Sequence, residues 1–457
     1  MQLRARLALV IPVLFVLYFL GLNDTGLLGP DEPRYAAIGQ AMSSSGDWVT
    51  PRLWGSPWFE KPALLYWMIA AGFRAGLPGD YAPRLPVALL GAAFLFLYYF
   101  LLRPEIGERP AWLSALILAS TAGWMGYSRL AVTDLPLAVF FASSMLLALE
   151  WLRGGGTRRL PYAGICFGLA ILAKGLVPMV LVLPLAWAAR RKWRDAWLFV
   201  APALLVAAPW YAACASVNGS AFLDEFFWRH HLSRFLSGDL QHTQPFWYYA
   251  PVLLAGLFPW TPLVVMLRRP RDEREKFFAA WLLWGFFFFS LSTNKLPGYL
   301  LPLLPAACVL LGLALDRAPN PRWPLSCCVV LLVLVPSMAS VLPDAINSGI
   351  MRSVATYQWG HVMPTLLPLV MILFLWGAGF TLRGPLGSTY GPAIVFLLTA
   401  VAMIYLNREV APVLEERVSA RKEWIRMEGR TACLEAPRRA IRYGLNYYAG
   451  RALPDCP

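Results

Sequence analysis

The chain is poor in charge. Only 14% of its 457 residues are Asp, Glu, Lys or Arg, against about 25% in an average soluble protein. So few charges cannot clothe a water-soluble surface, which excludes the string of soluble domains that this length would otherwise suggest. Acidic residues are scarcer still, 26 against 40 basic ones, and histidine occurs four times. No glycine-rich loop of the kind that cradles a sugar nucleotide is present. Low-complexity tracts and solenoid-type repeats are also missing, and the first apolar run has no small-residue cleavage site after it. Intrinsic disorder and secretion by a removable signal peptide are therefore excluded. Seven cysteines in so long and apolar a chain do not make a disulfide-framework mini-protein.

What the chain has is apolar. Hydrophobic residues make up 58%, Trp alone numbers 20, and the mean hydropathy is +0.54. This reads as an all-α polytopic membrane protein. With about 20 residues per crossing, apolar runs near 7–22, 81–102, 110–127, 135–152, 160–173, 176–189, 196–213, 246–267, 277–292, 299–315, 323–342, 361–381 and 389–406 predict about thirteen spans. Alternate connections are basic: Arg103 and Arg109, Arg153 to Arg159, Arg190 to Arg194, Arg268 to Lys276, Arg317 and Arg322, then Arg383. The positive-inside rule puts these, with Arg4 and Arg6, in the cytoplasm. The net charge of +14 is then a topology signal, and no nucleic-acid partner is expected. The N-terminus lies inside and the C-terminus outside.

The expected domains are a transmembrane body over 1–406 and a small outer segment over 407–457. The first outer loop, 23–80, should hold two helices lying at the membrane surface, 33–45 and the apolar 62–77. A true span at 62–77 would reverse every later loop and put the basic ones outside. The runs 160–173 and 176–189 are short for a bilayer, so a re-entrant pair and a locally thinned membrane both fit there. Cys433 and Cys456 share the outer tail, where an oxidising environment permits a disulfide.

Ionisable residues at a membrane boundary cost free energy and need a reason. The outer segments carry Asp31-Glu32-Pro33-Arg34-Tyr35, Trp58-Phe59-Glu60-Lys61-Pro62, Tyr127-Ser128-Arg129, Thr133-Asp134, Lys174, Trp228-Arg229-His230-His231 and Lys295-Leu296-Pro297-Gly298-Tyr299. Span interiors are almost free of charge. The pattern predicts a site at the outer membrane–water boundary and argues against a pathway through the bilayer.

The ordered set Asp31-Glu32-Pro33-Arg34-Tyr35-Ala36, Phe59-Glu60-Lys61-Pro62, Thr133-Asp134 and Lys295-Leu296-Pro297-Gly298-Tyr299 resembles the ArnT-like and protein-mannosyltransferase-like group of GT-C membrane glycosyltransferases. The resemblance covers about the first 315 residues. It implies a GT-C fold in a bacterial inner membrane, with the active site facing the periplasm. It further implies a polyprenyl-phosphate sugar donor, here an undecaprenyl-phosphate carrier. The sugar would pass, with inversion, to a lipid A-type glycolipid or another envelope acceptor; an aminosugar such as aminoarabinose is one expectation. Protein O-mannosyltransferase-like transfer is the alternative. The resemblance also implies Glu60 with His231 as a divalent-metal pair (zinc, or magnesium or manganese), although no cofactor is required by the chemistry. A monomer in contact with membrane lipids is expected. The aminoarabinose transferases carry a larger periplasmic C-terminal domain than the fifty or so residues after the last span here.

The reaction itself suggests roles. Breaking the anomeric bond of a lipid-phosphate sugar builds charge on the leaving phosphate, which pre-placed cations stabilise. Arg34, Lys61, Lys174 and Lys295 are the candidates, with Tyr299 as a hydrogen-bond donor. A carboxylate is needed opposite, to take the acceptor proton or steady the oxocarbenium-like centre. Asp31 is the first choice and Asp134 the second, with Tyr35, Glu60 and Arg129 binding substrate. Each has a plainer reading: Asp31 and Asp134 as helix caps, Glu60–Lys61 as a surface ion pair, Lys174 as a snorkelling lysine, Lys295 and Tyr299 as turn residues. A transporter or lipid flippase would instead show broken helices and ionisable groups near mid-bilayer, and neither is evident.

Overall fold

The structure, a computed structural model, describes residues 2–226, 244–343, 390–427, 433–435 and 437–456. These are helical apart from one two-stranded hairpin and an isolated bridge. Helix α1 (Gln2–Tyr18) leads into the first outer loop, which holds α2 (Asp31–Ser45), strands β1 (Arg52–Leu53) and β2 (Ser56–Pro57), and α3 (Leu64–Arg74). Then come α4 (Tyr81–Ile106), α5 (Glu108–Ala119), α6 (Ala122–Ser128), α7 (Asp134–Leu147), α8 (Leu160–Lys174) and α9 (Trp197–Leu223). The second half carries α10 (Glu273–Leu291), α11 (Leu304–Asp316), α12 (Arg322–Val333), α13 (Gly391–Tyr405) and, in the tail, α14 (Arg439–Ala449).

Five stretches among the described residues are long and apolar enough to cross a bilayer: Tyr81–Ile106, Asp134–Leu152, Trp193–Phe226, Pro297–Asp316 and Gly391–Arg417. Other predicted spans are shorter or broken. The run 110–127 divides between α5 and α6, where Ser120 and Thr121 donate to the carbonyls of Leu116 and Leu118. The run 246–267 is interrupted around the cis peptide Phe258–Pro259, and 176–189 forms two short helices, Val177–Leu181 and Leu183–Ala188. The run 196–213 continues to Leu223 with a kink at Gly219. Expected span 361–381 lies outside the described residues.

Small residues let these helices meet closely, as lipid-embedded packing requires. On α8, a Cβ at Gly164 would stand 2.2 Å from the Phe199 carbonyl oxygen, and one at Gly168 would stand 2.6 Å from that of Ala203. That spacing of four residues seats α8 directly on α9.

Each end of the bundle has its own chemistry. At the basic end Arg153 pairs with Glu105 at 2.7 Å, Arg317 with Glu275 at 2.6 Å and Arg109 with Asp316 at 3.3 Å. The 19 residues of α10 rise about 28 Å from there, at roughly 1.5 Å each, to Ser292 and Lys295. Helix α7 begins at that far end with Asp134, and α8 climbs back to it, ending at Lys174. The 15 residues of α8 cover only about 22 Å, so Lys174 sits recessed below the level a full crossing would reach.

Helix α2 is covered by its neighbours: Glu32 to Gly39 and Met42 are buried, because α3 covers one side and α14 packs against it as well. The helical rod that begins at Gly391 runs on to Arg417. From there the tail folds back over the first outer loop. Glu415 accepts the Gly26 N–H at 2.6 Å, and Arg421 bonds Asp80 at 3.1 Å. Tyr448 accepts the Leu27 N–H and donates to Asp80. The tail's own core is small, with Ala420, Leu434, Leu445 and Leu453 buried together, and Cys433 and Cys456 are joined by a disulfide.

Candidate active site

Pro30 precedes α2 without making a side-chain cap, so Asp31 and Glu32 fall in the first helical turn. Negative charge is favoured there by the exposed N–H groups of the helix start. The two neighbours then diverge. Glu32 is buried, and its carboxylate takes bonds from Arg84 at 2.7 Å on both oxygens, from the Leu28 N–H at 2.7 Å and from the Ala131 N–H at 2.9 Å. Arg84 also donates to the carbonyls of Leu22, Thr25 and Gly26. This fully satisfied network ties the start of the first outer loop to α4 and to the turn before α7. Asp31 points elsewhere. Its side chain is 43% exposed, and it accepts one bond at 2.5 Å from Arg34, which is only 3% exposed.

Arg34 bridges Asp31 to Glu60, at 3.0 Å on the Glu60 Oε2, while Lys61 lies 3.4 Å from the Glu60 Oε1. The rings of Tyr35, Trp58 and Tyr443 surround the Arg34 guanidinium at 5.2, 5.4 and 5.6 Å, close enough for cation–π attraction. Tyr443 comes from α14. It stacks on Trp54 at 5.6 Å, which the hairpin turn presents with a positive φ of 48°. Tyr66 of α3 interacts electrostatically with Glu60, Arg34 and Asp31. Around this group Arg34 Nε, Trp54 Nε1, Trp58 Nε1 and the Tyr66 hydroxyl are buried polar atoms with no partner among the described residues. Such atoms are costly to leave unsatisfied, and four of them lie around the Arg34 group.

A second group adjoins the first. Lys174, the last residue of α8, bonds Asp134 at 2.6 Å and stands 4.5 Å from the centre of the Tyr299 ring. Asp134 is the first residue of α7, and Thr133 before it makes no side-chain cap. Gly298 is required by space: a Cβ there would lie 2.5 Å from the Asp134 Oδ1 and 2.7 Å from the Tyr127 ring. Tyr127 borders this second group, its ring sharing with Asp134 the space beside Gly298, and Asp31 is near enough to act on its hydroxyl. Asp31, Arg34, Tyr35, Glu60, Lys61, Asp134, Lys174 and Tyr299 thus gather in one region at the non-basic end of the bundle.

Two expected residues spend their donors chiefly on backbone carbonyls. Arg129 donates to the carbonyls of Leu17 and Leu20 and to Asn407; it closes the open C-terminal end of α1, as a basic residue does where carbonyls lack partners. Lys295 is buried and gives its ammonium to the carbonyls of Ser292 and Gln244, so among the described residues it holds no carboxylate. Burial lowers its pKa from the ordinary lysine value. His231, with Trp228, Arg229 and His230, lies outside the described residues. Among the described residues no group of three or more His, Cys, Asp or Glu could hold a metal ion.

Sequence reasoning missed Arg84, Tyr66, Trp54 and Tyr443. A lone arginine in the first turn of an otherwise apolar helix was a signal for Arg84. Tyr443 had none, because nothing local says that a tail returns to a loop almost 400 residues earlier.

Residues 60–212 match the family model described as dolichyl-phosphate-mannose-protein mannosyltransferase. An undecaprenyl phosphate-alpha-4-amino-4-deoxy-L-arabinose arabinosyl transferase of Pseudomonas aeruginosa is 36% identical over 338 residues, 69% of this chain and 60% of that protein. The chain therefore spans about 60% of the length of the curated relatives it matches. The crystal structure of ArnT from Cupriavidus metallidurans bound to undecaprenyl phosphate superposes with a TM-score of 0.73 at 25% identity, covering 99% of this chain and 90% of that one. The arabinosyltransferase EmbB of Mycobacterium smegmatis shares the fold at a TM-score of 0.56 and 13% identity, over 97% of this chain and 43% of its own. This is a multi-pass membrane protein, and it belongs to the ArnT-like and protein-mannosyltransferase-like family of GT-C glycosyltransferases.

Proposed function

We propose that the chain is an inverting glycosyltransferase that takes a sugar from an undecaprenyl-phosphate carrier and transfers it to a lipid A-type or other envelope lipid. The transfer is proposed to occur at the periplasmic face of the inner membrane, with the protein acting as a monomer. The observation that carries this reading is the half-open Asp31 beside four unpartnered buried polar atoms, with Lys61 and Lys174 near by. The anomeric carbon–oxygen bond to the phosphate breaks, and its electron pair leaves with the polyprenyl phosphate. Lys61, Arg34 and Lys174 stabilise that growing charge. A bond from the acceptor oxygen forms on the opposite face of the sugar. Where the acceptor is a hydroxyl, its proton passes to Asp31; where it is already an ionised phosphate, Asp31 steadies the oxocarbenium-like centre or binds the sugar amine. Asp134 orients Lys174, and Tyr299 borders its ammonium.

No step is routed through a metal. Both Glu60 oxygens already face cations, Arg34 at 3.0 Å and Lys61 at 3.4 Å, a poor seat for a further positive charge. Dialysis against EDTA should leave turnover intact; loss restored by zinc or manganese would put Glu60 and His231 back as ligands.

The test is a reconstitution. Purified protein is mixed with undecaprenyl-phosphate-linked sugar and either lipid A or a Ser/Thr-rich peptide. Mass spectrometry should find one added glycosyl mass on the lipid, with free polyprenyl phosphate released in equal amount. The mannosyltransferase model matched by residues 60–212 favours the peptide as second acceptor, and modification of the peptide alone would choose it. Donor left intact with both acceptors would refute the reading.

A further inference from the structure

The basic end of the bundle holds a cavity of about 510 Å³ between the loop after Met266, α10, α11 and the start of α12. It lies along the basic half of α10, from Glu275 to Leu283, away from the candidate active site at the other end of the bundle. Its lining carries Arg268, Arg269, Arg271 and Arg317 and one carboxylate, Glu275, with Asp272 and Asp316 close enough to act on Arg317. Arg317 already pairs with Glu275 at 2.6 Å. The other three arginines are exposed and hold no carboxylate among the described residues. On the same face Arg103, Arg109, Arg153 and Arg159 each have an acidic partner.

Behind the rim the wall is apolar, made by Leu282, Leu283, Leu310 and Leu313. Leu283 and Val265 are largely exposed, so the cavity opens sideways, toward the space lipid chains occupy. Its volume falls within the roughly 300–1,000 Å³ of small-molecule sites. A soluble anion would use the guanidinium groups and leave that wall bare; a neutral lipid would use the wall and leave three repelling charges together. A molecule with a phosphodiester head and acyl chains satisfies both. Basic pockets between helices at the cytoplasmic side suit such head groups.

We infer that this cavity is a binding site for an anionic phospholipid of the cytoplasmic leaflet, with its phosphate among Arg268, Arg269 and Arg271 and a chain along Leu310 and Leu313. The site is separate from the reaction centre, so the inference stands or falls without the activity proposed above.

Delipidated protein in detergent is titrated with phosphatidylglycerol or phosphatidylcholine and followed by native mass spectrometry. The first phosphatidylglycerol should bind at least about tenfold more tightly than the first phosphatidylcholine, the scale expected of several surface guanidinium groups acting together. Arg268→Gln, Arg269→Gln and Arg271→Gln combined should abolish that preference. Leu310→Trp, which fills the wall and leaves every arginine, should weaken the first phosphatidylglycerol to a similar degree. Size-exclusion profiles identify any variant that fails to fold, and the wild-type comparison of the two lipids does not depend on either variant. Equal binding of both lipids by the wild type would overturn the inference. So would a preference that survives in the folded arginine variant, or in the folded Leu310→Trp variant. Displacement of the lipid by millimolar glycerol phosphate would overturn it too, by showing that the chain contributes nothing.

Discussion

Asp31 and Glu32 are adjacent carboxylates in one helical turn, and the structure gives them opposite tasks that two conservative substitutions separate. Asp31→Asn removes a charge that is 43% exposed and held by a single bond to Arg34. Solvent at the half-open Asp31 weakens the pair toward the roughly 1 kcal/mol of surface ion pairs, and the buried Arg34 keeps Glu60 at 3.0 Å. Stability should therefore barely move. Transfer should fall about a hundredfold or more, the usual contribution of a positioned acid–base or charge-stabilising group. Glu32→Gln keeps the shape but removes a charge that is 1% exposed and faces an Arg84 that is 2% exposed. The buried guanidinium keeps three carbonyls and the more distant charge of Asp80, so the loss should approach, from below, the roughly 3–5 kcal/mol of breaking a buried pair from one side. Thermal unfolding in detergent, followed by size-exclusion fluorescence, should show a clear drop for Glu32→Gln and almost none for Asp31→Asn. Turnover is measured on the folded fraction with purified donor lipid. Full activity in Asp31→Asn removes that residue from the mechanism, and a stable Glu32→Gln refutes the assignment of the Arg84 network as the loop's anchor.

Three further outcomes follow from the same geometry. Gly298→Ala places a methyl 2.5 Å from the Asp134 Oδ1 and must push that carboxylate off Lys174; we expect about 1–3 kcal/mol of overpacking strain with a fall in turnover, and full turnover would mean that the Asp134–Lys174 contact is dispensable. Tyr66→Phe deletes a buried hydroxyl that has no partner among the described residues. Stability should hold or rise by about 1 kcal/mol while the KM for donor or acceptor increases, and unchanged kinetics would take Tyr66 out of the binding surface. Serine at both Cys433 and Cys456 opens a loop whose ends are 23 residues apart. The lost cross-link is worth about 3 kcal/mol to the tail, which limited proteolysis should report as faster cleavage near α14; an unchanged cleavage rate would show the tail held by its contacts with the first loop alone.

The sequence carried the architecture and much of the site because both rest on local signals. Apolar runs, basic connections and proline-flanked acidic motifs are short-range patterns, and they located Asp31, Arg34, Glu60, Lys61, Asp134, Lys174 and Tyr299 at one end of the bundle. Where it fell short, the deciding partner was a backbone carbonyl or a returning element, which no pattern of side chains announces. Arg129 looks like a site cation beside Tyr127, yet the open carbonyls of Leu17 and Leu20 claim it. Lys295 sits in a site motif, yet the loop's own carbonyls hold its ammonium. In α2 the mixed composition suggests a helix at the water interface, and only the return of α14 and the docking of α3 bury it.

That return also anchors the loop that carries the candidate site. From Leu22 to Pro30 the first loop has no regular structure to stiffen it, so its position depends on anchors from elsewhere. Arg84 holds it from the membrane side through the carbonyls of Leu22, Thr25 and Gly26, and Glu32, bonded to Arg84, is tied to Ala131 as well. Glu415, Arg421 and Tyr448 hold it from the tail side through Gly26, Asn23, Asp24 and Leu27. Asp80 closes the circuit, bonded to both Arg421 and Tyr448. Its burial raises its pKa above the ordinary aspartate value, against the pull of Arg84, the Tyr448 hydrogen bond and Arg421. The tail in turn has too small a core to stand alone and depends on the loop it clamps. Tail and loop therefore form one cooperative unit, and Tyr443 is the tail residue placed where that unit meets Arg34. A change in the tail should reach the reaction centre through this contact, as a shift in how Arg34 shares its charge between Asp31 and Glu60.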